Sequence, residues 1–153
     1  MKQLLLALAA LVPLSAPAMA GPGQDLADFA SDLREEAHAR AQRLAARPAS
    51  PADVIDIEDP FAFELEQFAA DSLRLSRAIE SSGGPSDLRC IFRGISQDAN
   101  RRLEGLQSAQ TGGEQARLYR SLVELMRDAE DIAPSVDTEA DLPATSRVRN
   151  CGG

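Results

Sequence analysis

The chain has 153 residues, in which 24 Asp and Glu against 16 Lys and Arg give a net charge of −8 at pH 7. Phosphate backbones and anionic lipid surfaces repel a chain of this charge, which argues against nucleic-acid binding. The length suits a single domain. Lys2 is the only lysine, and the arginine, alanine and glycine content of the remainder is typical of a GC-rich bacterial genome.

Residues 1–20 have the composition of a cleavable export signal. Lys2 supplies the positive charge at the start, and an apolar run follows at residues 4–14. Ala18 and Ala20 form the A-x-A pattern that signal peptidase recognises, which predicts cleavage between Ala20 and Gly21. Export by a bacterium places the expected mature protein in the periplasm or outside the cell.

The predicted mature chain is not expected to be attached to a membrane. Spanning a bilayer takes about 20 apolar residues, and the run at 4–14 is shorter than that. The residue directly after the predicted cleavage site is Gly21 and not cysteine, so a lipid anchor is not expected. No later stretch is long and apolar enough to form a span.

Four later segments have the apolar spacing of amphipathic helices, and none alternates as a strand does. They cover about 24–47, 60–81, 86–109 and 112–133. Asp59 and Pro60 predict the start of the second helix, because Asp is a favourable N-cap and Pro fits the first position. Thr111 and Glu114 have the spacing of a capping box at the start of the fourth helix.

Each segment has an apolar stripe that is expected to face a common core. The third and fourth segments have the most continuous stripes. Their members are Leu88, Ile91, Phe92, Ile95, Ala99, Leu103 and Leu106 in the third segment, and Leu118, Leu122, Leu125, Met126, Ala129 and Ile132 in the fourth. Alanine supplies much of the stripe in the first segment, so whether that helix packs tightly stays open.

Cys90 and Cys151 are the only cysteines, and their spacing is neither that of a metal site nor that of a Cys-x-x-Cys redox pair. In an oxidising compartment such a pair favours a structural disulfide. Short loops make the second, third and fourth helices antiparallel neighbours, which brings the end of the fourth helix beside Cys90. The sequence therefore predicts an all-α, three- or four-helix up-down bundle at 21–133, with an irregular tail at 134–153 tied back by Cys90–Cys151.

The linker before the second helix contains the acidic segment Asp53–Asp59, in which Val54, Ile55 and Ile57 are mixed with acids, and Phe61 follows it closely. Carboxylates of this density can hold calcium, but the segment lacks the spacing of an EF-hand loop. A solvated linker that covers the bundle is one interpretation. A docking segment for a partner protein is the other.

His38 is the only histidine, and with Glu35 it forms one Glu-x-x-His half-motif of the kind found in di-iron bundles. Such a site needs two copies, and helical projection turns both side chains away from the apolar stripe. Nucleophilic catalysis needs a nucleophile, a base and an orienting group, and no such set is recognisable. No catalytic residue, cofactor-binding residue or metal ligand is predicted.

These observations favour an exported, non-enzymatic helical protein that acts by protein–protein interaction in the bacterial cell envelope. The alternative is a periplasmic helical bundle that binds a small ligand or a metal ion, with His38 and Glu35 taking part. The sequence indicates neither the partner nor the oligomeric state.

Overall fold

The computed structural model describes residues 21–139 and residue 151. The predicted signal segment 1–20 and most of the tail lie outside the described residues, so cleavage after Ala20 remains a prediction. Within the described residues the chain forms helices and no strand. The helices are α1 (Pro22–Ala45), α2 (Pro60–Ser81), α3 (Ser86–Ser108), α4 (Gly112–Ile132) and the short α5 (Ser135–Glu139).

The four long helices form an up-down bundle, as the apolar patterns and short loops predicted. Helix α1 packs mainly against α4, and α2 packs mainly against α3. A close approach of Gly105 to Leu118 joins α3 to α4. Helix α1 is a full member of the bundle, because its alanines bury a narrow face that lets α4 approach closely.

Local capping sets the helix starts where the sequence predicted them. The side chain of Asp59 accepts a hydrogen bond from the Phe61 amide, and Pro60 occupies the first position of α2. Thr111 and Glu114 make both bonds of a capping box at the start of α4. Both arrangements satisfy amide groups that a helix end otherwise leaves without a partner.

The core contains most of the predicted stripes. Ile91 was expected in the stripe of α3, but its side chain is 37% exposed. Leu118 and Ile132 of the α4 stripe are only partly buried and pack against the core from its edge. Ser96 is a buried polar residue of α3. Two serines of α2 are also buried: Ser72 donates to the Phe68 carbonyl one turn back, whereas Ser76 donates to the carbonyl of Arg89 on α3.

A disulfide closes the end of the bundle where α3 begins. Cys90 and Cys151 are bonded, with their Cα atoms 5.2 Å apart, which confirms the predicted pairing. The segment after residue 133 was expected to be irregular, but it opens with the helical turn α5. Asp137 of α5 accepts hydrogen bonds from the amides of Gly23 (2.9 Å) and Gln24 (2.8 Å), so it caps α1 from outside that helix.

Candidate protein-binding surface

Exposed apolar side chains concentrate in one short part of the chain. Among the described residues, the exposed large apolar side chains other than Ile91 are Val54 (81%), Ile57 (93%) and Phe63 (56%). Single exposed apolar residues are ordinary, but a group so close in sequence is a candidate interaction site. We name this group, with the neighbouring acids, the acidic ridge; its residues are Val54, Asp56, Ile57, Glu58, Phe63 and Glu64.

A buried amide holds the segment that presents the ridge. Gln115 of α4 has no exposed surface, and its side chain bonds both backbone groups of Asp53. The Asp53 amide donates to Gln115 Oε1 at 2.7 Å, and Gln115 Nε2 donates to the Asp53 carbonyl at 2.7 Å. The same Nε2 also donates to the Leu106 carbonyl at 3.2 Å. The extended backbone next to Val54 is therefore fixed to α4 by a pair of hydrogen bonds, as paired strands are fixed to each other.

Further backbone bonds fix the linker to the turn between α3 and α4. The Gly112 amide donates to the Ser50 carbonyl at 2.9 Å, and the Ala52 amide donates to the Gln110 carbonyl at 3.1 Å. Position 112 requires glycine, because a Cβ atom there would lie 2.8 Å from Ser50 Oγ and 3.0 Å from the Arg47 carbonyl oxygen. Ile55 anchors the segment from the apolar side by turning into the core.

Arg40 fixes the other end of the segment at Asp59. Its Nη1 lies 2.7 Å from Asp59 Oδ2, and its Nε lies 2.7 Å from Glu36 Oε1. The guanidinium also lies 5.0 Å from the centre of the Phe61 ring and donates to the Tyr119 hydroxyl at 3.3 Å. This cluster joins α1, α2 and α4 directly beneath the segment.

The cluster shifts the protonation equilibria of its members. Burial raises the pKa of Asp59, but hydrogen bonds and the positive charge of Arg40 outweigh burial and hold that pKa below its ordinary value. Burial lowers the pKa of the Arg40 guanidinium, and hydrogen bonds to the two carboxylates reverse this, so the net shift is upwards. Burial raises the pKa of Tyr119, against the opposing effect of Arg40. The ion pair is therefore fully charged at neutral pH.

The acids of the segment divide into paired and unpaired groups. Asp53 lies 2.9 Å from Arg47, and Asp59 is paired with Arg40. Asp56 accepts a hydrogen bond from the Glu58 amide within a turn. Asp56, Glu58 and Glu64 have no ion pair with any residue in the described part of the chain. The segment Asp53–Asp59 is thus neutralised at its two ends. The carboxylates of the ridge itself keep their negative charge without an ion pair among the described residues.

The residues of the di-iron half-motif do not come together with other ligands. His38 and Glu35 are both exposed, as their position away from the stripe predicted. The partner of the His38 ring is the Gln42 side chain, at 2.8 Å. Residues 21–139 and 151 contain no group of three or more His, Cys, Asp or Glu side chains that could hold a metal ion.

An apolar groove runs between α1 and α2 at the end of the bundle nearest α5. It consists of two adjoining cavities of about 340 Å³ and 370 Å³, which share Pro22, Leu75 and Ala78 in their walls. Phe29 lines the first cavity and Val136 lines the second. Sequence patterns did not predict this groove, because it results from the looser packing of α1 on α2.

No protein-family model, curated protein or solved structure matches this chain. Across residues 21–139, no helix combines the length and the apolar character needed to cross a membrane. The functional interpretation therefore depends on the geometry of the acidic ridge and of the groove.

Proposed function

We propose that this protein is an exported, non-enzymatic binding protein of the bacterial cell envelope, and that it binds a partner protein through the acidic ridge. The observation that carries the proposal is the fixation of Asp53 by the buried side chain of Gln115. This clamp holds the backbone next to Val54, and the buried Ile55 and the paired Asp59 hold the segment on either side of Ile57. Val54 and Ile57 themselves stay exposed.

Burial of the exposed apolar side chains of the ridge would contribute favourably to the free energy of binding a partner. Burying an exposed Val or Ile side chain contributes about 2 kcal/mol, so Val54 and Ile57 together offer a useful part of a binding free energy. A segment that is already ordered loses little conformational entropy on binding. For the same buried area, an ordered segment is therefore expected to bind more tightly than a mobile loop.

Two further observations support action outside the cytoplasm. The Cys90–Cys151 disulfide is the kind of bond that persists in oxidising compartments. The sequence of residues 1–20 has the charge, apolar run and small residues of an export signal. Mass spectrometry of the protein isolated from the native periplasm tests this part, because cleavage after Ala20 predicts a mature chain that begins at Gly21.

The binding proposal is tested by capture from native periplasm followed by titration with the purified captured protein. Val54→Ser with Ile57→Ser removes apolar surface from the ridge, and Ile91→Ser is the matched control at an exposed isoleucine of α3. We expect the wild type and the control to bind one partner equally and the double variant to bind at least about tenfold more weakly. Equal affinity of all three proteins would contradict the proposal.

The groove between α1 and α2 favours a second candidate function, the binding of an apolar ligand. Its two cavities share a wall and have the size of small-molecule sites, which suits a linear aliphatic chain. Ala78→Glu places a charge in the shared wall at a residue outside the core, and Ile91→Glu is the control. A fatty acid should raise the melting temperature of the wild type and the control alone. No shift with the wild type would remove this candidate.

A further inference from the structure

We propose that the partner contacts the acidic ridge through a segment in which apolar side chains are flanked by Lys or Arg. This inference rests on the proposed function and specifies the chemistry of the partner. It follows from the charges that the ridge leaves unpaired and from the place of those charges beside the apolar side chains.

Some carboxylates of the segment form ion pairs within the protein, and others do not. At its two ends Asp53 and Asp59 are occupied by Arg47 and Arg40. Those acids serve the fold, because Arg40 ties Asp59 to α1 and Arg47, in the turn after α1, holds Asp53. The carboxylates at the centre serve no such contact within the described residues.

The unpaired carboxylates alternate with the exposed apolar side chains. Ile57 lies between Asp56 and Glu58, and Phe63 precedes Glu64. A partner that covers Ile57 therefore meets the carboxylates of Asp56 and Glu58, and one that extends to Phe63 also meets that of Glu64. Neutral or acidic apolar segments would desolvate these charges without compensation, whereas Lys or Arg beside the apolar contacts would pair with them.

The net charge of the protein disfavours a second copy as the occupant. Each chain carries a charge of −8, and two copies that met at this surface would bring unpaired carboxylates together and repel each other. An acidic ridge also repels anionic lipid headgroups. A basic and apolar segment of another protein is the occupant that matches both properties of the surface.

A displayed library of random dodecapeptides, selected on the immobilised mature protein that begins at Gly21, tests this inference. We expect the enriched peptides to contain apolar residues next to Lys or Arg. Their synthetic forms should bind about tenfold more weakly to Glu58→Gln with Glu64→Gln, because exposed ion pairs contribute modestly and additively. Salt should abolish this difference, since exposed charges are screened. Glu104→Gln with Asp128→Asn, which removes two exposed acids of α3 and α4, should bind as the wild type does.

The outcomes distinguish this inference from the proposed function. Neutral apolar peptides that lose binding with Val54→Ser and Ile57→Ser would support the ridge as a binding surface and overturn the basic partner. Basic peptides that bind the Val54/Ile57 variant and the Glu58/Glu64 variant as tightly as they bind the wild type would place binding elsewhere. That result would overturn both proposals. Enrichment of no peptide, or self-association of the protein in sedimentation velocity that the Val54 and Ile57 substitutions abolish, would also overturn the basic partner.

Discussion

Gln115→Ala tests the clamp on which the ridge depends. The substitution removes the bonds from Gln115 to both backbone groups of Asp53 and to the Leu106 carbonyl. Each buried polar group that loses its partner costs about 1–3 kcal/mol. Water can reach Asp53 once the Gln115 side chain is gone. Each of the three backbone groups that lose a partner should therefore cost about 1 kcal/mol, the lower end of the range. We expect the free energy of unfolding to fall by about 3 kcal/mol.

The assay combines urea unfolding with hydrogen exchange. For a domain of this size, a loss of about 3 kcal/mol lowers the melting temperature by roughly 10 °C. The Asp53 amide should lose its protection, whereas the core amides of α4 should keep theirs at low denaturant. Binding of the captured partner should also weaken, because the released segment must be ordered again on binding.

Gln67→Ala is the matched control, since Gln67 is an exposed glutamine of α2. Exposed substitutions of this kind change stability by less than about 0.5 kcal/mol. If Gln115→Ala were as stable as Gln67→Ala, or if the Asp53 amide kept its protection, the clamp would not hold the segment.

Three further predictions concern the fold. Cys151→Ser should lower the free energy of unfolding by about 4 kcal/mol, because the bond closes a long loop in the unfolded chain; identical melting curves for the variant and the wild type would refute this. Asp59→Asn should cost about 2 kcal/mol at pH 7, and the difference should begin to shrink as pH falls below about 4 and vanish only below the folded-state pKa of Asp59. The sign follows from the lowered pKa of Asp59: its contribution is present above the unfolded-state pKa and is lost as pH falls through the folded-state value, so a difference independent of pH in urea titrations would contradict the Arg40 pairing. Leu122→Asp should unfold the domain by placing a charge in the core, and a soluble variant with the wild-type circular dichroism spectrum would contradict the packing of α4.

The sequence predicted the helices well because their signals are local. Asp59 with Pro60, and Thr111 with Glu114, act within one helical turn, so their effect can be read without knowledge of the fold. The disulfide followed from the compartment and from loop lengths. The helical turn α5 was missed because Ser135–Glu139 has no apolar stripe of its own and is held partly by contacts of Asp137 with α1.

The candidate site was only partly predictable, because its main contacts are distant in sequence. Val54 and Ile57 were recognised as apolar residues among acids. That pattern left two alternatives, a segment that docks a partner protein and a linker that covers the bundle. Gln115 looks like an ordinary polar residue of an amphipathic helix, and only the packing of residues 51–55 over α4 reveals its role. The sequence did not indicate that Phe63 is exposed. Helical projection gives the side of α2 on which Phe63 lies, but it does not show whether a neighbouring element covers that side.

The most direct test of the proposed binding surface is hydrogen exchange of the protein with and without the captured partner. The proposal predicts added protection at residues 53–64 and little change at the groove between α1 and α2. Protection confined to the groove, or to the exposed face of α3 around Ile91, would contradict binding through the acidic ridge.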